Sequence, residues 1–403
     1  MSPVVMVASL CLAEALGMLT FSTFPALLPT FLDDWGLSAT AAGMLSGLFF
    51  IGYMLAVPVL TALTDRIDAR VVYLWSTVLT FAAAMGFAFL AEGFWSAAPL
   101  RVLAGAGLAG TYMPGLKALT DRIEEPRLQT RAVSFYTSSF GIGSALSYLI
   151  AGEIGARASW QWAFALPGLG VLLAFAIALV VLRPKPVVQM PAHWLAFLDF
   201  RPVLRNREAM GYVLAYSAHN WELFGMRAWI VAFLVFAASL QPDGAGGFWS
   251  ATAIAALIGF LGMPASIVGN EFAVRLGRRG TVSACMLVSA AICGSIGFAV
   301  GQPFLAVVVL CLMHGLTVTA DSAAITTGAV QAAETTRKGA TMAMHSFLGF
   351  GVSFLGALAP GVALDLGGGR DSVTAWALAW LTMAGGALLG PLAILLLTRR
   401  RPP

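Results

Sequence analysis

The sequence predicts an all-α membrane protein of twelve transmembrane helices, arranged as two related six-helix bundles. Three observations lead to this prediction. Apolar runs of about 20 residues recur along the whole chain. Lysine and arginine concentrate in alternate loops, and the two halves share residues at one fixed offset.

The amino-acid composition places the chain among membrane proteins. Of its 403 residues, 59% are hydrophobic and 10% are charged, whereas soluble domains carry roughly 25% charged residues. A helix needs about 20 apolar residues to cross ~30 Å of hydrocarbon, and runs of that length occur repeatedly. A transmembrane β-barrel would alternate polar and apolar residues over segments of about ten residues, and the sequence has no such alternation.

Charge clusters and Gly/Pro punctuation divide the chain into twelve predicted spans. Numbered 1 to 12 in chain order, their limits are 4–32, 40–61, 71–91, 96–119, 130–151, 160–182, 208–239, 247–269, 280–300, 303–328, 339–363 and 373–398. The longest break carries an amphipathic patch that is expected to lie on the membrane surface, formed by Trp194, Phe197 and Phe200. The predicted domains are an N-terminal bundle, a cytoplasmic connector and a C-terminal bundle, over residues 1–182, 183–207 and 208–403.

The basic residues predict the orientation of the chain. With both termini in the cytoplasm, 18 of the 23 lysines and arginines fall on the cytoplasmic side. Only Arg157 and Arg370 fall on the opposite side, and three lie within spans, namely Arg101, Lys117 and Arg227. The positive-inside rule therefore predicts a multi-pass protein of the inner (cytoplasmic) cell membrane. The net charge of +4 reflects this topology, and no nucleic-acid partner is expected.

An internal duplication relates the two halves. The stretch 14-EALGM-18 matches 222-ELFGM-226 at an offset of 208 residues. Spans 5 and 11 repeat the same offset in the pairs Ala132/Ala340, Ser138/Ser346, Gly141/Gly349, Gly143/Gly351 and Ala151/Ala359. Many secondary transporters consist of such repeats, with the substrate site near the membrane midplane between them. The duplication therefore favours a transporter.

Ionisable residues inside the spans mark the candidate site. Away from span ends they are Glu14, Arg101, Lys117, His219, Glu222, Arg227, His314, Asp321 and His345. Such residues are costly in a bilayer and usually face a water-filled path or one another. Because all but one of them fall on spans 1, 4, 7 and 10, we predict that these four spans line a central cavity, with Tyr112 as a further wall residue.

The duplication and the charges suggest roles for these residues. Glu14 and Glu222 are expected to face each other at similar depth, where desolvation and mutual repulsion favour the protonated form of both carboxyls. That arrangement suits reversible proton loading. Arg227 is a candidate ligand for an anionic substrate, because a guanidinium offers bidentate hydrogen bonds. Structural pairing of Arg227 with Asp321, Glu222 or Glu14 is the alternative.

Histidines and cysteines raise the question of a metal. His219, His314 and His345 are possible ligands together with Glu222, but lone membrane histidines more often hydrogen-bond between helices. The four cysteines lie inside apolar runs and lack a paired spacing or a CxxC motif. The prediction is therefore that the protein binds no metal ion and no cofactor.

The whole chain resembles the major facilitator superfamily of secondary transporters, which adopts a fold of two six-helix bundles. Its most specific motif is the loop after span 2, where the family has G-x-L-a-D-R-x-G-R-[RK]. This chain has 61-TALTDRIDAR-70, which loses both glycines and keeps Leu63, Asp65, Arg66 and Arg70. The second copy, 270-NEFAVRLGRR-279, has valine for the aspartate and keeps Arg275, Gly277, Arg278 and Arg279.

The resemblance implies roles for these loops and for span 4. The loops would act as a conformational latch, in which Asp65 contacts an opposing helix and Arg70 pairs with Asp121 below span 4. The stretch 101-RVLAGAG-107 is similar to the family pattern R-x-x-x-G-x-G, which implies that Arg101 assists proton coupling. Span 5 lacks the proline signature of drug/proton antiporters. In overall style the chain is most similar to small-anion and organic-acid permeases.

These observations predict proton-coupled uptake of a small organic or inorganic anion by alternating access. The alternative is an exporter that exchanges protons for a cationic or amphipathic compound, which the two glutamates support and the missing proline signature opposes. No HExxH motif, nucleophile elbow or phosphate-binding glycine loop points to an enzyme. The expected partners are a small-molecule substrate, protons and the lipid bilayer, and the protein is expected to be a monomer.

Overall fold

The computed structural model describes residues 2–186, 200–242 and 249–398, and every long element within these ranges is a helix. Helices satisfy their backbone hydrogen bonds internally, which is the condition for crossing hydrocarbon. Ten helices of the described part are long and apolar enough to span a membrane. Two further helices, Phe94–Thr120 and Pro126–Arg157, have comparable length, so the predicted twelve-helix, all-α architecture is confirmed.

The first six spans follow one another with short connections. Span 1 is a broken helix of four pieces, Pro3–Gly17, Met18–Thr20, Thr23–Ala26 and Leu28–Asp34. Spans 2 to 6 are Ala39–Leu63, Ala69–Leu90, Phe94–Thr120, Pro126–Arg157 and Trp160–Val181.

The second six spans repeat this order. Spans 7 to 9 are Arg207–Ser239, Ala251–Leu276 and Arg278–Ile296, the last extended by the turn Gly297–Ala299. Span 10 is broken into Phe304–Ala320 and Ser322–Ala332. Span 11 is Lys338–Leu366, and span 12 consists of Val373–Ala387 and Leu389–Leu397.

The predicted span limits differ from the helices mainly at polar ends. Span 5 was expected over residues 130–151 and runs from Pro126 to Arg157. Proline is favoured in the first turn of a helix, because the N–H that it lacks would be unpaired there. The helix therefore continues beyond its apolar stretch. The predicted start of span 8, residue 247, lies outside the described residues.

The break in span 1 is satisfied by serines of span 5. The backbone N–H of Ser22 donates to the hydroxyl of Ser147 (2.9 Å), and the Ser22 hydroxyl donates to the carbonyl of Ser144 (3.2 Å). The Ser147 hydroxyl in turn donates to the carbonyl of Leu19 (2.7 Å). Non-helical backbone at membrane depth requires such partners, so these serines permit span 1 to bend.

By packing, the chain divides into two compact units. Unit 1 comprises the described residues of Met1–Leu27 and Leu48–Ala196, and unit 2 comprises those of Leu28–Gly47 and Phe197–Pro403. The end of span 1 and the start of span 2 thus pack with unit 2, although the duplication assigns both spans to the first half. The predicted bundle boundaries stay a prediction.

The predicted connector is described only in part. Its last section includes a short helix, Arg201–Arg205, and Phe200 is partly buried just before it. The other members of the predicted surface patch, Trp194 and Phe197, lie outside the described residues.

Glycines let the helices of unit 1 approach closely. A Cβ atom at Gly105 would lie 1.8 Å from the carbonyl oxygen of Phe49, and one at Gly107 would lie 2.3 Å from the hydroxyl of Thr80. Both distances are far below van der Waals contact, so only glycine fits. Small residues at helix contacts are typical of membrane bundles, and Gly105 and Gly107 permit this close approach.

Span 7 forms the centre of unit 2, and most of its side chains are buried. Two tryptophans fix it to its neighbours. The indole N–H of Trp229 donates to the carbonyl of Ala357 on span 11 (2.9 Å), and that of Trp221 donates to the carbonyl of Thr382 on span 12 (3.0 Å). Each indole thereby buries a large apolar surface with its polar atom satisfied.

Candidate functional site

Unit 1 holds the first predicted carboxylate in its interior. Glu14 on span 1 is 2% exposed, and the hydroxyl of Tyr136 on span 5 donates to its Oε2 (2.8 Å). The same hydroxyl lies 3.1 Å from the carbonyl oxygen of Thr111 on span 4. Gly115 makes room for it, because a Cβ there would lie 2.2 Å from the Tyr136 oxygen. Spans 1, 4 and 5 therefore meet at one buried carboxyl group.

The predicted residues of span 4 lie against aromatic rings of unit 1. Arg101 is 4% exposed, and its guanidinium carbon lies 4.9 Å from the centroid of Phe24 and 5.0 Å from that of Phe49. Attraction to the two ring faces offsets part of the cost of burying the cation. Tyr112 is partly buried and stacks on Tyr136, with ring centroids 6.3 Å apart.

Unit 2 holds the second predicted carboxylate. Glu222 on span 7 is 1% exposed. Its Oε1 accepts a hydrogen bond from the Ser289 hydroxyl on span 9 (2.8 Å) and lies 3.0 Å from the Nε2 of His314 on span 10. Three helices therefore converge on the carboxylate. Sequence reasoning missed Ser289, because one serine among the many small residues of a span carries no signal of its own.

The other histidines of the spans lie in the same unit. The Nδ1 of His219 on span 7 lies 2.8 Å from Oδ1 of Asp321, which sits where span 10 breaks. The ring of His345 on span 11 stacks on Tyr216, with centroids 3.7 Å apart. All of these side chains except that of the partly buried Tyr216 are at most 3% exposed. The structure thus places three predicted residues, His219, Asp321 and His345, in the same packing unit as Glu222 and His314.

Arg227 is placed differently from the buried acids. It is partly buried on span 7, and its guanidinium carbon lies 5.6 Å from the ring centroid of Phe224, three residues earlier. Its predicted role as an anion ligand stays a prediction. The same holds for the predicted approach of Glu14 to Glu222, since the two residues belong to different packing units.

One group of side chains in the described part of the chain has donor atoms placed for a metal ion. The ligand atoms of Glu222, Cys293 and His314 all lie within 4.8 Å of one another, and all three residues are buried. Carboxylate, imidazole and thiolate are zinc ligands. In the structure, Glu222 Oε1 accepts a hydrogen bond from the Ser289 hydroxyl and faces the His314 imidazole. An ion bound here would replace the contact between Glu222 and His314, and the predicted absence of a metal ion stays a prediction.

In the structure the two residues of the predicted latch pair have other partners, and a different ion pair holds the loop after span 2; the latch role stays a prediction. Asp121 pairs with Lys117 on its own helix (2.9 Å), whereas Arg70 donates to the carbonyl of Leu179 on span 6 (3.2 Å). The loop's ion pair is instead Asp68 with Arg122, at 2.9 and 2.8 Å. The family resemblance implied a pair of Arg70 with Asp121, but the Asp121 carboxylate pairs with the lysine one turn earlier on its own helix.

Asp68 is the central residue of this loop. It accepts hydrogen bonds from the backbone N–H groups of Arg70 (3.0 Å) and Lys185 (2.7 Å) as well as from Arg122. Burial alone would raise the pKa of the Asp68 carboxyl, but these hydrogen bonds and the Arg122 charge hold it below its usual value. Aspartate just before a helix is an N-cap signal, which would have identified Asp68 from the sequence.

One arginine of each loop makes an equivalent contact in the two halves. Arg279 donates to the carbonyl of Leu395 near the end of span 12 (2.6 Å), as Arg70 does to Leu179 of span 6. Each arginine thus stabilises the carbonyl end of the last span of its half. Arg275 pairs with Glu271 on its own helix (2.6 Å). Asp65 and Arg66 are exposed at the turn.

Comparison with known proteins agrees with this architecture. A family model described as Major Facilitator Superfamily matches residues 10–356. Over 317 residues the chain is 26% identical to the sphingosine-1-phosphate transporter SPNS2 of Mus musculus, covering 73% of this chain and 55% of that protein. Over 304 residues it is 24% identical to the hexuronate transporter of Bacillus subtilis (strain 168), covering 72% and 71%.

A solved structure has the same fold. The crystal structure of a bacterial homolog to the human lysosomal transporter Spinster, in an inward-facing and unoccupied conformation, matches with a TM-score of 0.76 and 14% identity, covering 99% of each chain. The first curated relatives are longer proteins, and the matched region spans about half of their length.

Proposed function

The chain belongs to the major facilitator superfamily, and on this premise we propose that it is a secondary transporter that works by alternating access and couples proton movement to the uptake of a small organic or inorganic anion. Its relatives include transporters rather than enzymes. Coupling requires a group that takes up and releases a proton within the protein, and recognition of an anion requires a cation or strong hydrogen-bond donors.

The observation that carries the proposal is the pair of buried carboxyl groups at equivalent positions of the duplication. Glu14 is held by the Tyr136 hydroxyl, and Glu222 is held by a serine hydroxyl and an imidazole. These donors pair with a carboxylate and also accommodate the neutral acid, because hydroxyl and imidazole groups donate or accept. A buried charge is costly without a counter-ion, so burial favours the neutral acid and contact with water favours the carboxylate. A conformational change that alters the access of water to the carboxyl group would therefore be coupled to protonation.

The preference for an anion has two supports. Arg227 is a partly buried cation on the same helix as Glu222. In addition, the chain resembles a hexuronate transporter over 72% of its length, and a hexuronate is a small organic anion. A sugar acid or another small carboxylate is therefore the substrate class that we propose first.

A second candidate is a proton-coupled exporter of an amphipathic compound. The resemblance to a sphingosine-1-phosphate transporter over 73% of the chain favours it, because that substrate combines a charged head with a long apolar tail. Cationic compounds belong to the same candidate, since the buried glutamates could exchange a proton for a cation.

Transport into proteoliposomes under an imposed pH gradient tests both candidates. An anion symporter accumulates a labelled small carboxylate when the outside is acidic, whereas an antiporter accumulates an amphipathic compound when the lumen is acidic. We expect Glu14→Gln and Glu222→Gln to lower gradient-driven accumulation at least about tenfold, which corresponds to roughly 1.4 kcal/mol. Uptake that ignores the gradient and both substitutions would contradict the proposal.

A matched control separates the buried acids from an ordinary carboxylate. Glu153 on span 5 is 42% exposed and pairs with Arg157 on its own helix, so Glu153→Gln should leave gradient-driven uptake close to that of the wild type. Equal losses in all three variants would point to general damage instead of proton coupling.

A further inference from the structure

The start of span 2 packs against span 11 within unit 2. The helix Ala39–Leu63 begins inside the segment Leu28–Gly47, which packs with unit 2, and it continues into unit 1. Spans 2 and 11 belong to opposite halves of the duplicated sequence. Within unit 2, the contact therefore joins helices from opposite halves of the sequence, at the end of span 2 remote from the arginine-rich loop that follows it.

A single carboxylate caps the first turn of span 2 in this contact. Asp365 Oδ1 accepts a hydrogen bond from the backbone N–H of Ala39 (3.0 Å), and its Oδ2 accepts one from the N–H of Thr40 (2.8 Å). The first N–H groups of a helix have no partners within the helix, and they carry the positive end of the helix dipole. Asp365 supplies two of the missing acceptors and the matching negative charge, from more than 300 residues away in sequence. The Ser38 hydroxyl supplies another, to the N–H of Ala41 (3.1 Å).

The two helices approach closely below this cap because glycines line both faces. A Cβ at Gly361 would lie 2.3 Å from the carbonyl oxygen of Ala39, and a Cβ at Gly43 would lie 2.8 Å from that of Ala357. One turn further along span 2, a Cβ at Gly47 would lie 2.8 Å from the carbonyl oxygen of Phe354. Small residues one turn apart permit such backbone contact. The start of span 2 and the end of span 11 therefore pack closely through their backbones, with few large apolar side chains between them.

A second ion pair flanks the cap at the surface. Arg370 pairs with Asp33, and the two side chains are 40% and 62% exposed. Exposed pairs contribute little to stability. Asp365 is also exposed, but its carboxylate accepts hydrogen bonds from backbone N–H groups at a helix start, where the helix dipole adds to the attraction.

We propose that Asp365 is a positioning residue of the transport cycle, which closes the non-cytoplasmic end by capping span 2 and must release it for that end to open. This inference rests on the proposed alternating-access function. The contact suits such a role because it is small. The Asp365 carboxylate accepts hydrogen bonds from two backbone N–H groups and from the Ser38 and Thr40 side chains, and a few backbone contacts support it. When the end opens, water can satisfy the freed N–H groups.

The experiment measures how fast a buried position at this contact is labelled. Ala42, on span 2 two residues after Thr40, is 0% exposed. In a variant with the four native cysteines replaced by alanine, Ala42→Cys introduces a thiol that a membrane-impermeant maleimide reaches only when the contact opens. We expect Asp365→Asn to raise the labelling rate at least about tenfold, since the amide loses the charge and one of the two acceptors.

Three further variants make the test specific. Asp365→Glu retains the carboxylate and should restore slow labelling in large part. Asp371→Asn changes an exposed acid six residues away and should leave the labelling rate at the starting value. Thr40→Pro deletes two groups that face Asp365, the backbone N–H and the hydroxyl of Thr40, in a helix turn where proline is tolerated. It should raise the rate as Asp365→Asn does.

The outcomes separate the latch from the transport function. Faster labelling in Asp365→Asn and Thr40→Pro, with substrate uptake changed in kcat more than in KM, supports the proposal. Faster labelling in a protein that transports no tested substrate supports the latch and contradicts the proposed substrate class. Unchanged labelling in both variants, while both elute as folded protein, overturns the assignment of Asp365. If Asp365→Asn does not fold, the Thr40→Pro result decides.

Discussion

The hydrogen bond between Tyr136 and Glu14 can be tested by removing one hydroxyl. Tyr136→Phe keeps the ring, which is fully buried, and deletes the donor that lies 2.8 Å from Glu14 Oε2. The other carboxylate oxygen, Oε1, is buried without a hydrogen-bond partner among the described residues. The substitution therefore strips the carboxyl group of its described side-chain donor.

The size of the effect depends on the protonation state of Glu14. A hydrogen bond to a charged group contributes roughly 1.5–3 kcal/mol, and one between neutral groups contributes roughly 0.5–1.5 kcal/mol. We therefore expect Tyr136→Phe to lower the free energy of unfolding by about 1 kcal/mol when Glu14 is protonated and by about 2 kcal/mol when it is ionised.

A double-mutant cycle isolates this interaction. Tyr136→Phe, Glu14→Met and their combination are unfolded with SDS in mixed micelles, and the coupling energy is taken from the four free energies. Thr137→Val is the matched control, because the Thr137 hydroxyl is exposed and bonds only to its own helix among the described contacts, at Val133 (2.9 Å). Its coupling to Glu14→Met should be below about 0.5 kcal/mol.

The cycle is run at about pH 6 and about pH 8, since a proton-loading carboxyl should show a larger coupling energy at the higher pH. A coupling energy below about 0.5 kcal/mol at both pH values would refute the interaction. A constant coupling energy of more than about 1.5 kcal/mol would refute proton exchange at Glu14 in this range and leave the hydrogen bond intact.

Two further predictions concern stability. The pKa of Asp68 is lowered in the folded protein, so its ion pair with Arg122 stabilises the fold above the ordinary carboxyl pKa, and this stabilisation is lost as the pH falls through the lowered pKa. The melting temperatures of the wild type and of Asp68→Asn should therefore converge at acid pH. A constant difference between them would contradict this prediction. Gly269→Ala would place a Cβ 1.9 Å from the carbonyl oxygen of Ala320 and should cost about 1–3 kcal/mol. Gly385→Ala, where a Cβ meets nothing within 4 Å, should gain up to about 1 kcal/mol; equal melting temperatures for the two glycine variants would refute the packing argument.

The sequence showed which ionisable residues form the polar sites, but not which side chains they contact. Glu14, His219, Glu222 and Asp321 could be singled out because an ionisable side chain inside an apolar run is costly and must be enclosed by protein. Their partners could not, because Tyr136 and Ser289 are ordinary residues of other spans. Which side chain reaches a carboxylate depends on helix rotation and tilt, and neither is encoded in the apolar period of one span.

The loop after span 2 shows the same limit. Its motif resembles a family pattern, and the resemblance implied that Arg70 pairs with Asp121. In the structure Asp121 pairs with Lys117 and the Asp68–Arg122 pair takes the central place. All five residues lie within a few residues of a helix end, so the sequence contains several pairings of nearly equal plausibility, and distances in space decide among them.

The sequence itself determined the membrane class, the helix count and most span limits. The length of an apolar run decides whether a helix can cross the bilayer, the flanking charges decide its orientation, and both are local properties of the sequence. Only the tertiary structure decided that Asp365 caps a helix that begins 326 residues earlier and that three helices meet at Glu222. Such contacts arise from the packing of whole helices, in which the backbone groups left unpaired at a helix end, or a buried charge, take whichever partner the packing brings within reach.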